Sequence, residues 1–472
     1  MTSIIAYCIG RIIYNLTFHP LAKYPGPKLA AVTDLWWAYM RIWSAPSFPK
    51  LQYPAPSPYI YLSQEKNLEL FVQVGYDALD TGDGGISGET NPIRHREIAK
   101  KLAPAFSTRN LRAKEPSIHR HIDLFIEKTK DAPAGQVELR RWSDWLALDL
   151  SADMTYGHEL NQMRDSRDSL LLSSTLKLNL FLLMSQISRK FRILTPLMYL
   201  TIPPSVWFIM PSLLNLNSSE VKTRIERRGQ MEHLDYFEHL IPAEKPVPTD
   251  KKQLYHLQNI AGQLLLASWQ PLANQFYSFI FFILKEPSTH ERLVNEIRRA
   301  FINYESINLE TVGKLKFLEA CAQESLRLHQ DTVDGLPRVS PGAIVDGTYI
   351  PKGVICQISY FSASRSPRFF KDPLAFRPQR WLSPEHPDFD EKYRNDNLKA
   401  SKPFSQGPRG CPGGAIALAV IKLFMAKVLW QFDIEAMPGQ ESLSFEKHFK
   451  FMVFWERPSF WVRFKSVERA GG

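Results

Sequence analysis

The stretch FSQGPRGCPGG holds one cysteine in a loop of glycine, proline and arginine: Phe404, Gly407, Arg409, Cys411 and Gly413. A thiolate that ligates a metal needs hydrogen-bond donors, shielding from water and room for what it binds. Gly407 and Gly413 supply unusual backbone angles and close approach. Arg409, two residues before the sulfur, can reach an anionic group on a ligand's rim, and Phe404 can screen the sulfur from solvent. The apolar run after Pro412 reads as a helix whose positive end points back at Cys411 and favours the thiolate. A lone cysteine is most often an inert buried thiol. No GxxxxGK[ST] makes this a phosphate loop, and no neighbouring His or Cys makes it a zinc site. A planar iron macrocycle held by one axial thiolate fits the loop best.

A second pattern is ESLRL. Glu324 and Arg327 stand at i and i+3, on one helix face, where they can meet each other and a third charge. By itself this four-residue pattern is better read as a solvated surface ion pair. A third feature is ASWQPLANQF, which sets Pro271 inside what otherwise reads as a long buried helix. Proline offers no N–H to the carbonyl of Ala267 and bends a helix.

The elements around these residues are mostly helical from His95 to about Arg299, with apolar residues at i, i+3, i+4 and i+7 in EPSIHRHIDLFIEKTK, WSDWLALDLSADMTYG and HERLVNEIRRAF. TLKLNLFLLMSQ reads as a buried or membrane-touching helix, and the apolar run Leu170–Leu200 and the residues near Phe454 as core or pocket wall. After Arg327 the pattern changes: GAIVDGTYIPKGVICQISYF reads as short strands joined by a turn at PKG, and FKFMVFWERPSFWVRFK as a hairpin turning at Arg457-Pro458. The expected fold class is α+β, mostly helical, with a small β-rich part late in the chain.

The composition of the 472 residues is globular, 44% hydrophobic and 22% charged. The four cysteines are far apart and lack CxxC spacing, which disfavours disulfides and suits a reducing compartment. The formal charge of +10 suits an acidic partner or a membrane surface; no motif supports nucleic acid. The N-terminal apolar run is interrupted by Arg11 and is shorter than the roughly 20 residues that span a bilayer. With the YPGP hinge and its flanking lysines, it reads as a short membrane-associated segment over residues 1–24, ahead of one catalytic domain over 25–472.

These motifs together resemble the cytochrome P-450 family. FSQGPRGCPGG matches its FxxGxRxCxG heme-binding signature at every defined position, and ESLRL matches its helical ExxR pair. GLPRV resembles the stretch whose arginine, here Arg338, binds a heme propionate. FKDPLAFRPQRWL resembles the segment that contributes Arg380 as the third member of a salt-bridge triad with Glu324 and Arg327. FHPLAKYPGPKLAA and FSTRNLRAKEP look like the membrane-bound fungal members. The resemblance implies heme b with Cys411 as axial ligand and a monomeric monooxygenase-type oxidoreductase at the endoplasmic reticulum membrane, facing the cytosol. It also implies electrons from NADPH-cytochrome P-450 reductase and a lipophilic secondary-metabolite substrate.

The chain departs from the family in three places. The distal-helix pattern A-G-x-(D/E)-T falls on Ala267, Ser268, Trp269, Gln270 and Pro271, so a proton-handling acid and alcohol are replaced by Gln270 and Pro271. Ser268 or Asn274 is left to orient water, and Gln270 can hydrogen-bond but cannot titrate near neutrality. An isomerase, dehydratase or oxidative cyclase, or a catalytically silent scaffold, are therefore alternative readings. In HREIAKKLAPAF, His95 matches a propionate-binding position, Ala99 stands where an arginine is expected, and Lys100 beside it can offer a point charge. In HQDTVDGLPR, residues Asp331, Thr332, Val333 and Asp334 are expected to look into the pocket. The strands that should follow the hinge are not visible between Leu51 and Thr81.

Overall fold

The computed structural model describes residues 2–43, 58–74, 83–188, 191, 195–230 and 235–468. The centre of the molecule is the helix Lys251–Lys285. Asp250 caps it, accepting from the Gln253 amide at 3.1 Å, and its side chains from Trp269 to Ile283 are almost all buried. It packs along Leu139–Tyr156, where the Trp269 indole donates to Asp144 at 3.2 Å. The helix continues through Pro271 without a break. Burial on every side supplies the stability that a proline in the interior removes.

Two further helices enclose the cysteine loop. Gly414–Gln431 is long and apolar enough to cross a membrane, yet most of it lies inside the molecule, so its composition is that of a core helix. Its Phe424 ring stands 4.4 Å from Phe276 and 5.2 Å from Phe125. The Glu-x-x-Arg helix, Lys316–Leu328, starts without a capping side chain of its own. Glu296 of the neighbouring helix Pro287–Ala300 does this work, accepting from the amides of Phe317 and Leu318 at 2.9 and 2.8 Å.

The strands are short and antiparallel. Gln136–Glu138, Trp461–Ser466 and Phe432–Ala436 form one sheet with Trp461–Ser466 in the middle. Val72–Gln73, Arg338–Val339 and Ile355–Cys356 form another. The architecture is α+β, as expected, but several local readings change. The hairpin Ala343–Val345 with Thr348–Ile350 turns at Asp346-Gly347, both at positive φ (48° and 76°). That dipeptide matches the turn a two-residue hairpin requires. PKG is also a turn, as expected, with the Val354 amide donating to the Pro351 carbonyl at 3.3 Å, and it joins Thr348–Ile350 to Ile355–Cys356 of the other sheet.

The late hairpin pairs Lys450–Phe451 with Trp455–Glu456, so its turn lies before Arg457-Pro458, and Trp461–Ser466 leaves for a different sheet. Strands are present in the front region after all: Gln64–Glu65 pairs with Leu68–Glu69, and Val72–Gln73 pairs with Arg338–Val339. At two residues each they are too short to show alternation. The remainder of the Leu51–Thr81 reading, residues 51–57 and 75–81, lies outside the described residues. TLKLNLFLLMSQ is divided between two helices, Leu170–Lys177 and Asn179–Ser188, bent by 47°.

Candidate active site

The cysteine loop is folded by its backbone. Ser405 and Gly407 both take positive φ (55° and 78°), and the Cys411 amide donates to the Phe404 carbonyl at 2.8 Å. A Cβ on Gly407 would lie 1.9 Å from the Tyr61 carbonyl oxygen, so only glycine fits. The Phe404 ring packs on the first turn of the next helix: a Cβ on Gly414 would come within 3.0 Å of it. Burial pushes the Cys411 thiol up, and the charge of Asp331 adds to this, while the backbone N–H groups of Gly413 and Gly414 hydrogen-bond to the sulfur and oppose it. These two amides belong to a helix N-terminus and favour the thiolate. The sulfur's residue has accessible surface although burial dominates its thiol.

Arg338, Arg409 and His95 converge near this loop. Arg409 donates to Glu69 at 2.7 Å and to the Glu89 carbonyl at 2.6 Å. Arg338, on its buried strand, donates to Gln73 and stacks over the Tyr61 ring at 5.1 Å. His95 is buried on the helix Pro92–Leu102, which Asn91 caps. Burial, followed by the Arg409 charge, brings its imidazole down to about 4, with Arg338 acting in the same sense and Glu69 and Glu89 against it. His95 is thus neutral at neutral pH. Lys100 is exposed on the same helix. Five residues on, it lies about 140° around the axis and does not share the buried face. Ala99, which does share it, offers no donor.

Glu324, Arg327 and Arg380 meet in the interior with no side-chain exposure. Arg327 holds the carboxylate with two parallel bonds of 2.8 Å. Arg380 adds one at 3.1 Å, and the Arg377 amide and Trp381 indole add two more at 2.8 Å. The remaining Arg327 protons go to the carbonyls of Ser364, Pro373 and Ala375, while Arg380 also pairs with Asp396. Burial would push the Glu324 carboxyl up; Arg327 and Arg380 reverse this and hold it below the usual range.

The middle of the long helix is polar but uncharged. Ser268 Oγ donates to the Leu264 carbonyl at 2.7 Å and is turned back onto its own helix. Gln270 is buried and its amide reaches the Trp455 carbonyl only at 3.5 Å. One turn on, on the same face, fully buried Asn274 donates through Nδ2 to Asp331, and its Oδ1 has no hydrogen-bond partner. Of the loop residues expected in the pocket, Val333 is buried, Thr332 is exposed and Asp334 is paired with Arg41. Asp331 is the one that joins the long helix.

Sequence reading missed the partners of the two arginines, Glu69, Gln73 and Glu89, and the Trp381 and Asp396 contacts of the triad. Trp381 carried a signal, standing directly after Arg380; the others are joined only by the fold.

The donor set suits heme. One accessible sulfur has two amides bonded to it, and two guanidinium groups and a neutral imidazole gather near the same loop, suited to a pair of carboxylates. In overall shape the protein is similar to the cytochrome P450DA heme domain in its crystal structure, with a TM-score of 0.65 at 17% identity over 84% of each chain. That likeness defines the fold class. The Cytochrome P450 family model matches residues 73–462, and the chain belongs to that family, which implies heme held by a cysteine thiolate. Among its relatives are Cytochrome P450 monooxygenase TwmD of Talaromyces wortmannii, 41% identical over 97% of this chain and 94% of the relative, and Cytochrome P450 monooxygenase poxC of Penicillium oxalicum, 30% identical over 98% and 93%. The protein is an enzyme of the cytochrome P450 monooxygenase type, of the fungal kind.

Proposed function

We propose that the protein inserts oxygen into a lipophilic secondary-metabolite intermediate, with Cys411 as the axial ligand of heme b. The observation that carries this reading is the Cys411 sulfur, its residue accessible and the Gly413 and Gly414 amides bonded to it. Heme, when bound, supplies the one-electron and oxygen chemistry. The chain's own residues would position it: Arg338, Arg409 and His95 would hold its carboxylates, Arg409 turning from Glu69 to do so, and Glu324, Arg327 and Arg380 keep the scaffold rigid. Lys100, being exposed, is left out of this set.

Electrons come from NADPH through a separate reductase, since the chain carries no flavin or nicotinamide motif. Residues 1–24 form the membrane-associated segment ahead of a catalytic domain over 25–472, working as a monomer on the cytosolic face of the endoplasmic reticulum. Support comes from the helix Thr2–Thr17, whose Ile5, Tyr7, Ile9 and Ile13 are exposed, and from exposed Leu200 and Phe208. A second reading, rearrangement or dehydration at the same heme, is favoured by one observation: Gln270 and Pro271 place neither an acid nor an alcohol on that turn of the long helix.

The test is incubation of membranes holding the protein and a reductase with NADPH, isotopically labelled dioxygen and a panel of apolar terpenoid and polyketide compounds. A product carrying the label and requiring NADPH is the expected result. A product that forms without label or NADPH supports the second reading.

A further inference from the structure

The long helix lacks a titratable group where the family's acid would stand, but the fold brings one to it from elsewhere. Asp331, in the loop after the Glu-x-x-Arg helix, accepts a hydrogen bond from Asn274 Nδ2, one helical turn beyond Gln270 on the same face. Asn274 is fully buried and its Oδ1 has no hydrogen-bond partner, so the amide keeps an acceptor unused beside the carboxyl. Asp331 retains some accessible surface although it is strongly desolvated, and its charge is felt by Cys411. Like the sulfur, it is packed among other groups and still partly accessible.

We propose that Asp331, positioned by Asn274, is the residue that holds and releases the proton for the reacting side of the site, in place of the acid that Gln270 does not supply. This inference rests on the oxygen-inserting reading above. In each turnover a carboxyl oxygen of Asp331 gives up its proton toward the Cys411 site, and the carboxylate left behind regains one from water, so the residue ends unchanged. The electrons come from NADPH through the reductase.

The surroundings suit that task. Burial raises the Asp331 carboxyl to about 6, with the Asn274 hydrogen bond and the Arg457 charge holding it from going further. An acid in that range is mostly ionised at neutral pH but keeps a protonated fraction of roughly one-tenth, close enough to working pH to give and take a proton. The charged or titratable groups around it are Arg457, which donates to Asp144 at 2.6 Å, and Cys411. His329, two residues away, is held neutral by burial, and Asp334 is occupied by Arg41.

The test uses the full-length holoprotein as wild type, Asp331→Asn, Asp331→Glu and Asn274→Ala, each first checked for the reduced carbon-monoxide band of a thiolate-bound heme. Absence of that band in wild type would strike at the oxygen-inserting reading itself; the outcomes below are read with the band present. The first readout is the infrared absorption of a protonated carboxyl, followed with pH. It should titrate near pH 6 in wild type and vanish in Asp331→Asn. The second is the pH profile of NADPH oxidation with reductase and no added substrate. Asp331→Asn should lose the inflection near pH 6 and fall on the order of a hundredfold; Asp331→Glu should keep the inflection, and Asn274→Ala should move it upward. A carboxyl signal that survives in Asp331→Asn, or an unchanged profile in that variant, overturns the proposal.

Discussion

Glu324 receives five donors, none farther than 3.1 Å, whereas Gln270, on the long helix, donates one bond at 3.5 Å. The first region is a charged network in which each buried group has its counterpart, with Arg327 and Arg380 disposing of their spare protons on backbone carbonyls and Asp396. The second is a run of neutral amides, Gln270 and Asn274, with one acceptor left over. Charges this deep are tolerated only when fully paired, so the network behind the cysteine loop has little freedom to vary. Neutral amides carry no such penalty, and that side of the interior can change its chemistry without losing the fold. The difference explains how one chain combines every defined residue of the heme loop with a distal turn that departs from its family.

The comparison can be broken at its strongest point. Glu324→Ala leaves buried Arg327 without an anion and Arg380 with Asp396 alone, and should cost about 3–5 kcal/mol. The expected outcome is little or no folded heme protein, read from expression and thermal melting; a variant that melts like wild type would mean that the network is not what fixes the loop.

The Arg338, Arg409 and His95 cluster should respond to acid. The His95 imidazole titrates near 4 in the folded chain against 6.5 when unfolded, so the unfolded state binds more protons and stability falls as pH drops from 6.5 toward 4. The loss attributable to His95 is on the order of 2–3 kcal/mol. His95→Gln should flatten that part of the stability curve, measured by denaturant melts across the window.

The smallest effect belongs to the distal turn. Gln270→Leu preserves volume and removes one long hydrogen bond, so stability should change by less than about 1 kcal/mol. A large destabilisation would show that Gln270 is held as firmly as Glu324.

Much of the cysteine loop was legible because its signature is contiguous: Phe404, Gly407, Arg409, Cys411 and Gly413 need only local backbone geometry to meet. Glu324 and Arg327 were legible as a pair for the same reason, their spacing fixing a shared helix face. Arg409 with Glu69, Arg338 with Gln73 and Asn274 with Asp331 were not, since only the folded chain brings them together across hundreds or tens of residues. The turn at PKG was legible, whereas the one at Asp346-Gly347 was overlooked, although positive φ at both positions is what that dipeptide supplies. Two-residue strands such as Val72–Gln73 exist because a neighbouring strand fixes them, and no periodicity of their own announces them.

The claim on which the account turns is that Cys411 holds heme through its sulfur. The reduced, carbon-monoxide-bound difference spectrum of the protein in membranes, beside Cys411→Ser, tests it most directly. The account predicts a thiolate-type Soret band in wild type that is lost in the variant. A folded, well-expressed wild-type protein without that band, or a band that persists in Cys411→Ser, would contradict it.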